Sequence, residues 1–81
     1  MMNGKQIYRR MNECYESEYG NYDNEAEWYG SDDPKMWEFE IPSRQVKVQM
    51  LMEEESKRII INERPYGKGN EYKRVGVWEW R

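Results

Sequence analysis

The residues of this sequence that could do chemistry are mostly carboxylates, and they are concentrated in one segment. Between Glu13 and Glu40 there are ten acidic residues and one basic residue, a formal charge of -9 over 28 residues. Closely spaced pairs such as Glu25 and Glu27 could in principle divide general-acid and general-base work between them, as in glycoside hydrolysis. A domain this small seldom encloses the pocket that would separate two carboxyl pKa values. We therefore expect no enzymatic activity.

Other catalytic and metal-binding chemistry has little support. The sequence contains no histidine, the usual general base and zinc ligand, and its single cysteine, Cys14, can form neither an internal disulfide nor a zinc knuckle. Cys14 falls on an apolar helical stripe, which favours a core residue over a nucleophile. A calcium site built from the segment's carboxylates is an alternative, but the ordered Asp-x-Asp-x-Asp-Gly pattern of an EF-hand loop is missing. No metal or cofactor is expected. The carboxylates of that calcium alternative are Asp23, Glu25, Glu27, Asp32 and Asp33.

Length and composition predict one small folded domain spanning residues 1–81. Only 37% of the residues are hydrophobic and Leu51 is the single leucine, so the core must use Tyr, Trp, Met, Val and Ile. The mean hydropathy of -1.28 is typical of disorder, but a net charge of only -3 and an aromatic share of 15% favour folding. The sequence has no apolar run that could span a membrane, its N-terminus lacks the apolar core of a signal peptide, and the lone cysteine suits a reducing compartment. These features predict a cytoplasmic location.

An amphipathic helix is predicted over residues 3–19. Ile7, Met11, Cys14 and Glu18 share one stripe at helical spacing. Asn3 is the expected N-cap, with Gln6 as its capping-box partner.

The helix is expected to end at Gly20, a residue suited to the left-handed conformation of a C-cap. Residues 20–35 show no sustained period and predict a long acidic loop.

From residue 36 the hydrophobic period becomes two, which predicts strands over 36–41, 44–53, 57–64 and 71–81. Short turns between them require antiparallel pairing. The predicted fold class is α+β, an N-terminal helix packed on a four-stranded antiparallel β-meander. In the last strand, alternation places Tyr72, Trp78 and Trp80 together on one face.

The net charge conceals a polarised chain. Residues 1–42 carry ten acids and four bases (-6), whereas residues 43–81 carry six acids and nine bases (+3). Three interpretations remain open: a solvated face, a loop that folds over its own basic strands, or an electronegative recognition surface. In the third, carboxylates and interleaved aromatic rings imitate the phosphates and bases of nucleic acid. The predicted contacts are Glu16, Glu18, Tyr22, Asp23, Glu25, Glu27, Trp28, Tyr29, Asp32 and Asp33.

The preferred functional hypothesis is a non-enzymatic inhibitor that blocks a basic, nucleic-acid-binding groove of a larger protein. Small acidic domains rich in Met and Tyr are common among phage and mobile-element proteins, including inhibitors of CRISPR and other host defences, although no motif supports this analogy. The first alternative is an assembly module that forms homo-oligomers through its sheet. The second is a sheet platform for single-stranded nucleic acid, which the acidic half of the chain disfavours by repelling the phosphate backbone.

Overall fold

The computed structural model describes residues 1–81 and contains one α-helix and a five-stranded antiparallel sheet with strand order β1-β2-β3-β4-β5. The predicted α+β class, with an N-terminal helix and an antiparallel sheet, is confirmed, but the predicted number of strands is one too low. The elements are α1 (Gly4–Tyr19), β1 (Glu27–Trp28), β2 (Met36–Ile41), β3 (Val46–Glu53), β4 (Arg58–Pro65) and β5 (Lys73–Glu79), with 3-10 turns at Gly20–Tyr22 and Pro42–Arg44.

The start of α1 is a capping box, as the sequence predicts. The Asn3 side chain accepts a hydrogen bond from the Gln6 N–H at 3.0 Å, and the Gln6 side chain accepts one from the Asn3 N–H at 2.9 Å. The prediction for the other end is wrong, because Gly20 is right-handed, with φ -56° and ψ -30°. The chain continues directly into a 3-10 turn there, so no left-handed residue is needed to reverse it. None of the helical segments combines the length and apolar character needed to span a lipid bilayer.

One face of α1 is buried against the sheet. Ile7, Met11, Tyr15 and Tyr19 follow one another at intervals of four, and Cys14 lies beside them. Glu18, predicted on this stripe, is exposed. The helix turns these residues, spaced by four, towards the sheet because the rings of Tyr15 and Tyr19 supply far more apolar area than Glu18 could.

The sheet buries the side chains on the face that α1 covers. Alternate residues of β2, β3 and β4 point towards the helix and complete a core of 12 residues. The fully buried strand residues are Phe39, Ile41, Val48, Met50 and Ile59. The opposite face of the sheet has no helix over it, and we call it the open face.

The extra strand, β1, lies inside the segment predicted as a loop. Glu27 and Trp28 pair with Glu40 and Phe39 of β2, and the Tyr29 N–H donates to the Glu38 carbonyl at 3.0 Å. A two-residue strand is too short to show a period of two in the sequence. The long-range packing of Trp28 onto Phe39, with ring centroids 4.6 Å apart, accompanies this pairing.

A β-bulge in β5 overturns the predicted grouping of Tyr72 with the two C-terminal tryptophans. Gly76 pairs with Ile61 and Arg74 pairs with Asn62, so Val75 is an extra residue in the ladder. One extra residue exchanges the faces of everything before it. Trp78 therefore packs against the core on the helix side, whereas the Tyr72 hydroxyl donates to Glu38 on the open face at 3.4 Å.

Candidate functional site

The main candidate site is a cleft where the first half of α1 passes the β1–β2 edge of the sheet. Its volume is about 440 Å³, and we call it the aromatic–acidic cleft. Its lining contains five aromatic and three acidic side chains but no lysine or arginine. The twelve lining residues are Tyr8, Asn12, Tyr15, Asp23, Trp28, Tyr29, Ser31, Asp33, Pro34, Met36, Trp37 and Glu38.

Trp28 is the centre of the aromatic wall. Its ring lies 4.9 Å from the ring of Tyr15 and 5.4 Å from that of Trp37, measured between centroids, and the second pair is edge-to-face. Tyr8 extends the wall by packing on Trp37 at 5.5 Å. Trp28 nevertheless remains 46% exposed and Tyr8 62% exposed, so ring surface is available to a ligand.

The acidic side chains of the cleft are held by the backbone and by a tyrosine. Asp23 accepts a hydrogen bond from the Tyr15 hydroxyl at 2.8 Å, and burial together with this bond raises the pKa of Tyr15 to about 12. Asp33 accepts from the Lys35 N–H at 2.9 Å, while the Asp33 N–H donates to the Ser31 hydroxyl at 3.1 Å. Both carboxylates are thereby positioned without a counter-ion.

The chain's own bases do not neutralise the acidic segment. Its single internal base, Lys35, pairs with Glu54 at 2.6 Å. The other ion pairs use Glu13, Glu53 and Glu63 as their acids. Glu13 is the only acid of the segment in an ion pair, and the other nine have none, namely Glu16, Glu18, Asp23, Glu25, Glu27, Asp32, Asp33, Glu38 and Glu40. No ion pair joins an acid of this segment to the basic strands, although the Lys47 ammonium lies 5.7 Å from the ring centroid of Tyr29.

Four of the predicted contact residues come together in this cleft: Asp23, Trp28, Tyr29 and Asp33. Tyr29 also reaches the open face of the sheet, where its hydroxyl donates a hydrogen bond to the Glu40 carboxylate at 2.8 Å. Asp32 is exposed in the same loop but does not line the cleft.

The other predicted contacts lie elsewhere, so the acidic segment is not one continuous patch. Glu16 and Glu18 are exposed on α1 outside the cleft. Tyr22 packs against the core, with the Arg44 guanidinium 5.7 Å from its ring centroid.

Two further predicted contacts serve the fold instead. Glu25 accepts the Ser43 N–H at 2.8 Å, which satisfies a free donor of the second 3-10 turn and lowers the pKa of Glu25. Glu27 lies directly opposite Glu40 in the β1–β2 ladder.

Sequence reasoning missed several lining residues, chiefly Tyr8, Tyr15 and Trp37. Tyr8 and Tyr15 are seven residues apart, two helical turns, and so project from the same side of α1. That spacing was visible in the sequence. Trp37 carried no such signal, because strand alternation groups it with Phe39 and Ile41 but does not show which side chains pack against it.

The cleft offers aromatic rings and carboxylates to a cation. A guanidinium or ammonium held within about 6 Å of a tryptophan ring is attracted by the ring's π face, and nearby carboxylates add ion pairs. No group of three or more Asp, Glu or Cys side chains is arranged to hold a metal ion, so the carboxylates of the calcium alternative are not brought together. Burial raises the pKa of the Cys14 thiol to about 12, and its side chain is fully buried.

The chain matches no protein-family model, no curated protein and no solved structure.

Proposed function

We propose that this protein is a non-enzymatic, protein-binding inhibitor whose aromatic–acidic cleft seats basic side chains from the nucleic-acid-binding groove of a larger host protein. One observation carries the proposal. The cleft combines exposed tryptophan and tyrosine rings with three carboxylates, and no base of this chain lies in it. Its chemistry is complementary to arginine, which binds carboxylates through a planar fork and stacks on aromatic rings.

The carboxylates outside the cleft extend this complementarity. Asp32 lies in the loop beside the cleft, and Glu16 is exposed on α1. Unpaired surface charges of one sign steer an oppositely charged partner and make the association rate sensitive to salt. Occupation of a basic groove would then exclude nucleic acid by competition. The assignment to phage or mobile-element anti-defence proteins, including anti-CRISPR inhibitors, rests on composition and charge.

The experiment uses nona-arginine peptide as the probe and fluorescence anisotropy as the readout. The double variant Asp32→Lys with Asp33→Lys reverses charge at the cleft. Glu55→Lys with Glu71→Lys is the matched control, because both residues are exposed and lie outside the cleft. We expect the cleft variant to raise Kd by about tenfold or more and to flatten its salt dependence. The control should change Kd less than about twofold.

Equal weakening by the two variants would mean that only net charge matters, and the cleft would lose its role. A second variant, Tyr8→Ala, tests the aromatic part, since Tyr8 is 62% exposed and contributes little to the core. Unchanged peptide affinity in that variant would remove the cation–π contribution.

The inhibitory part of the proposal needs a separate measurement. Proteins captured from a cell extract on the immobilised chain should be eluted by salt and retested for DNA binding. We expect the wild-type chain, but not the cleft variant, to displace DNA from them in stoichiometric amounts. Captured proteins that keep their DNA would contradict inhibition. A gel shift of single-stranded oligonucleotide by the chain alone would instead favour the nucleic-acid platform.

A further inference from the structure

The open face of the sheet carries a row of apolar side chains over which no helix lies, while Tyr72 reaches Glu38 in the polar row beside it. Cross-strand pairing places four of them side by side across β2, β3, β4 and β5, and all four are half-buried. They are Met36, Leu51, Ile60 and Val77. The sequence has one leucine and five isoleucines, and four of those isoleucines are in the core. Placing Leu51 and Ile60 on an uncovered face is therefore unusual for so hydrophobic-poor a chain.

Charge on the open face is polarised across the strands. Acidic side chains lie on the β1–β2 side, where Glu38 begins a polar row that continues through Gln49 and Asn62 to Arg74 of β5. The bulge at Val75 is what brings Arg74 onto this face, because regular alternation would have placed it with Trp78 on the helix side. The Glu38 row thus runs from an acidic to a basic residue and the Met36 row is apolar throughout, whereas the end row of Glu53, Arg58 and Glu79 is acidic at both ends.

We propose that the open face is a homodimer interface, occupied by the open face of a second copy of this chain. The argument is self-complementarity under two-fold symmetry. An axis parallel to the strands and midway between β3 and β4 places β2 over β5 of the second copy, and β3 over its β4. Sheets packed face to face in this aligned way lie about 10 Å apart.

Under this symmetry the apolar row meets the apolar row of the second copy, and the acidic end of the Glu38 row meets its basic end. Leu51 meets Ile60 of the second copy, Met36 meets its Val77, and Glu38 meets its Arg74. At one end of the face, Glu53 and Arg58, which form an ion pair within each chain, meet the same ion pair of the second copy.

The opposite end row is the exception, since Lys47 meets Arg64 of the second copy. Both of these cations are already engaged within their own chain. The Lys47 ammonium lies 5.7 Å from the ring centroid of Tyr29, and the Arg64 guanidinium lies 5.7 Å from that of Tyr72. This row also lies at the edge of the face, where the twist of aligned sheets makes them diverge.

The test is sedimentation equilibrium of the full chain over a range of micromolar concentrations. We expect a monomer–dimer equilibrium that Ile60→Lys abolishes. Val75→Lys is the matched control, because Val75 is 55% exposed on β5 but belongs to the bulge instead of the apolar row. It should leave the equilibrium unchanged. A chain that stays monomeric throughout, or a dimer that survives Ile60→Lys, would overturn the proposal.

A charge exchange provides a second test that does not depend on how well Ile60→Lys folds. Glu38→Arg alone and Arg74→Glu alone should each raise the dimer Kd by about tenfold, because the two-fold axis repeats the pair in every dimer. The double exchange should restore dimerisation.

Within one chain the strands that carry these two residues are three strand spacings apart, roughly 14 Å, but the Glu38 carboxylate already reaches the Tyr72 hydroxyl beside β5. The free energy of unfolding is therefore measured for the same variants, and recovery of the dimer Kd without a matching change in that free energy indicates a contact between copies. Failure of the double exchange to recover any affinity would contradict the proposed axis. Because Glu38 also lines the aromatic–acidic cleft, Ile60→Lys, which lies outside the cleft, is the variant that separates dimerisation from peptide binding.

Discussion

The hydroxyl of Tyr19 donates a hydrogen bond to the carboxylate of Glu63 at 2.6 Å, and so joins the last turn of α1 to β4 across 44 residues of sequence. Tyr19 is only 3% exposed. The second carboxylate oxygen of Glu63 accepts from Arg44 at 2.8 Å. One acidic side chain thus fixes the helix end and the turn after β2 to the same point of the sheet.

Replacing the phenol tests this junction. Tyr19→Phe removes one hydrogen bond to a charged group while keeping the ring, and should lower the free energy of unfolding by about 1.5–3 kcal/mol. Urea unfolding followed by tryptophan fluorescence measures it. Tyr8→Phe is the control, because the Tyr8 hydroxyl has no hydrogen-bond partner in the chain and should be dispensable for stability. A loss below about 0.5 kcal/mol in Tyr19→Phe would show that the bond adds nothing net.

The opposed carboxylates of Glu27 and Glu40 predict a pH-dependent stability of the β1 edge. Hydrogen bonding to Glu40 raises the pKa of Glu27, so the folded state binds this proton more tightly than the unfolded state does. The resulting stabilisation is complete below the unfolded pKa and is lost as pH rises through the folded pKa. Glu40, whose pKa is lowered by the Tyr29 hydroxyl, contributes in the opposite direction.

Glu27→Gln distinguishes the contribution of Glu27 from that of Glu40, because the glutamine amide can donate a hydrogen bond to Glu40 at every pH. We expect the variant to be more stable than the wild type at neutral pH and equal to it in acid, where Glu27 is protonated. Thermal unfolding across the acidic range gives the comparison. A difference in stability between variant and wild type that is the same at neutral and at acidic pH would contradict coupling between Glu27 and Glu40.

Two glycines should respond to alanine with opposite signs. Gly76, in β5, has open space around the position of an added Cβ and no positive φ, so Gly76→Ala should stabilise the protein by about 0.4–1 kcal/mol. Gly67, in the β4–β5 turn, has φ +112°, and an added Cβ would lie 3.2 Å from the Asn70 amide nitrogen. Gly67→Ala should cost about 1–2 kcal/mol. Thermal unfolding of both variants tests this prediction. It is wrong if the two substitutions change the stability in the same direction.

The buried thiol of Cys14 should be unreactive in the folded protein. Burial raises its pKa to about 12 and its side chain has no exposed surface, so neither thiolate nor access is available at neutral pH. We expect labelling by a thiol-specific reagent to require unfolding and to accelerate with urea. Rapid labelling in buffer, at the rate of a free thiol, would contradict the burial of Cys14 between α1 and the sheet.

Local signals in the sequence accounted for α1 and for strands β2 to β5. The capping box of Asn3 and Gln6 acts over three residues, and the alternation from residue 36 onwards reflects the two faces of single strands. Such features depend on near neighbours and on hydrophobic period, so they are visible before any tertiary contact is known.

Tertiary structure determined the site. The sequence by itself established an α+β chain with its acids in one segment, but not where those acids lie. Strand β1 pairs with β2 where Trp28 packs on Phe39, and the bulge at Val75 moves Tyr72 and Arg74 to the open face. Both effects come from pairing between distant parts of the chain. For that reason a single acidic segment in sequence becomes an aromatic–acidic cleft, a helix surface and a sheet edge in space.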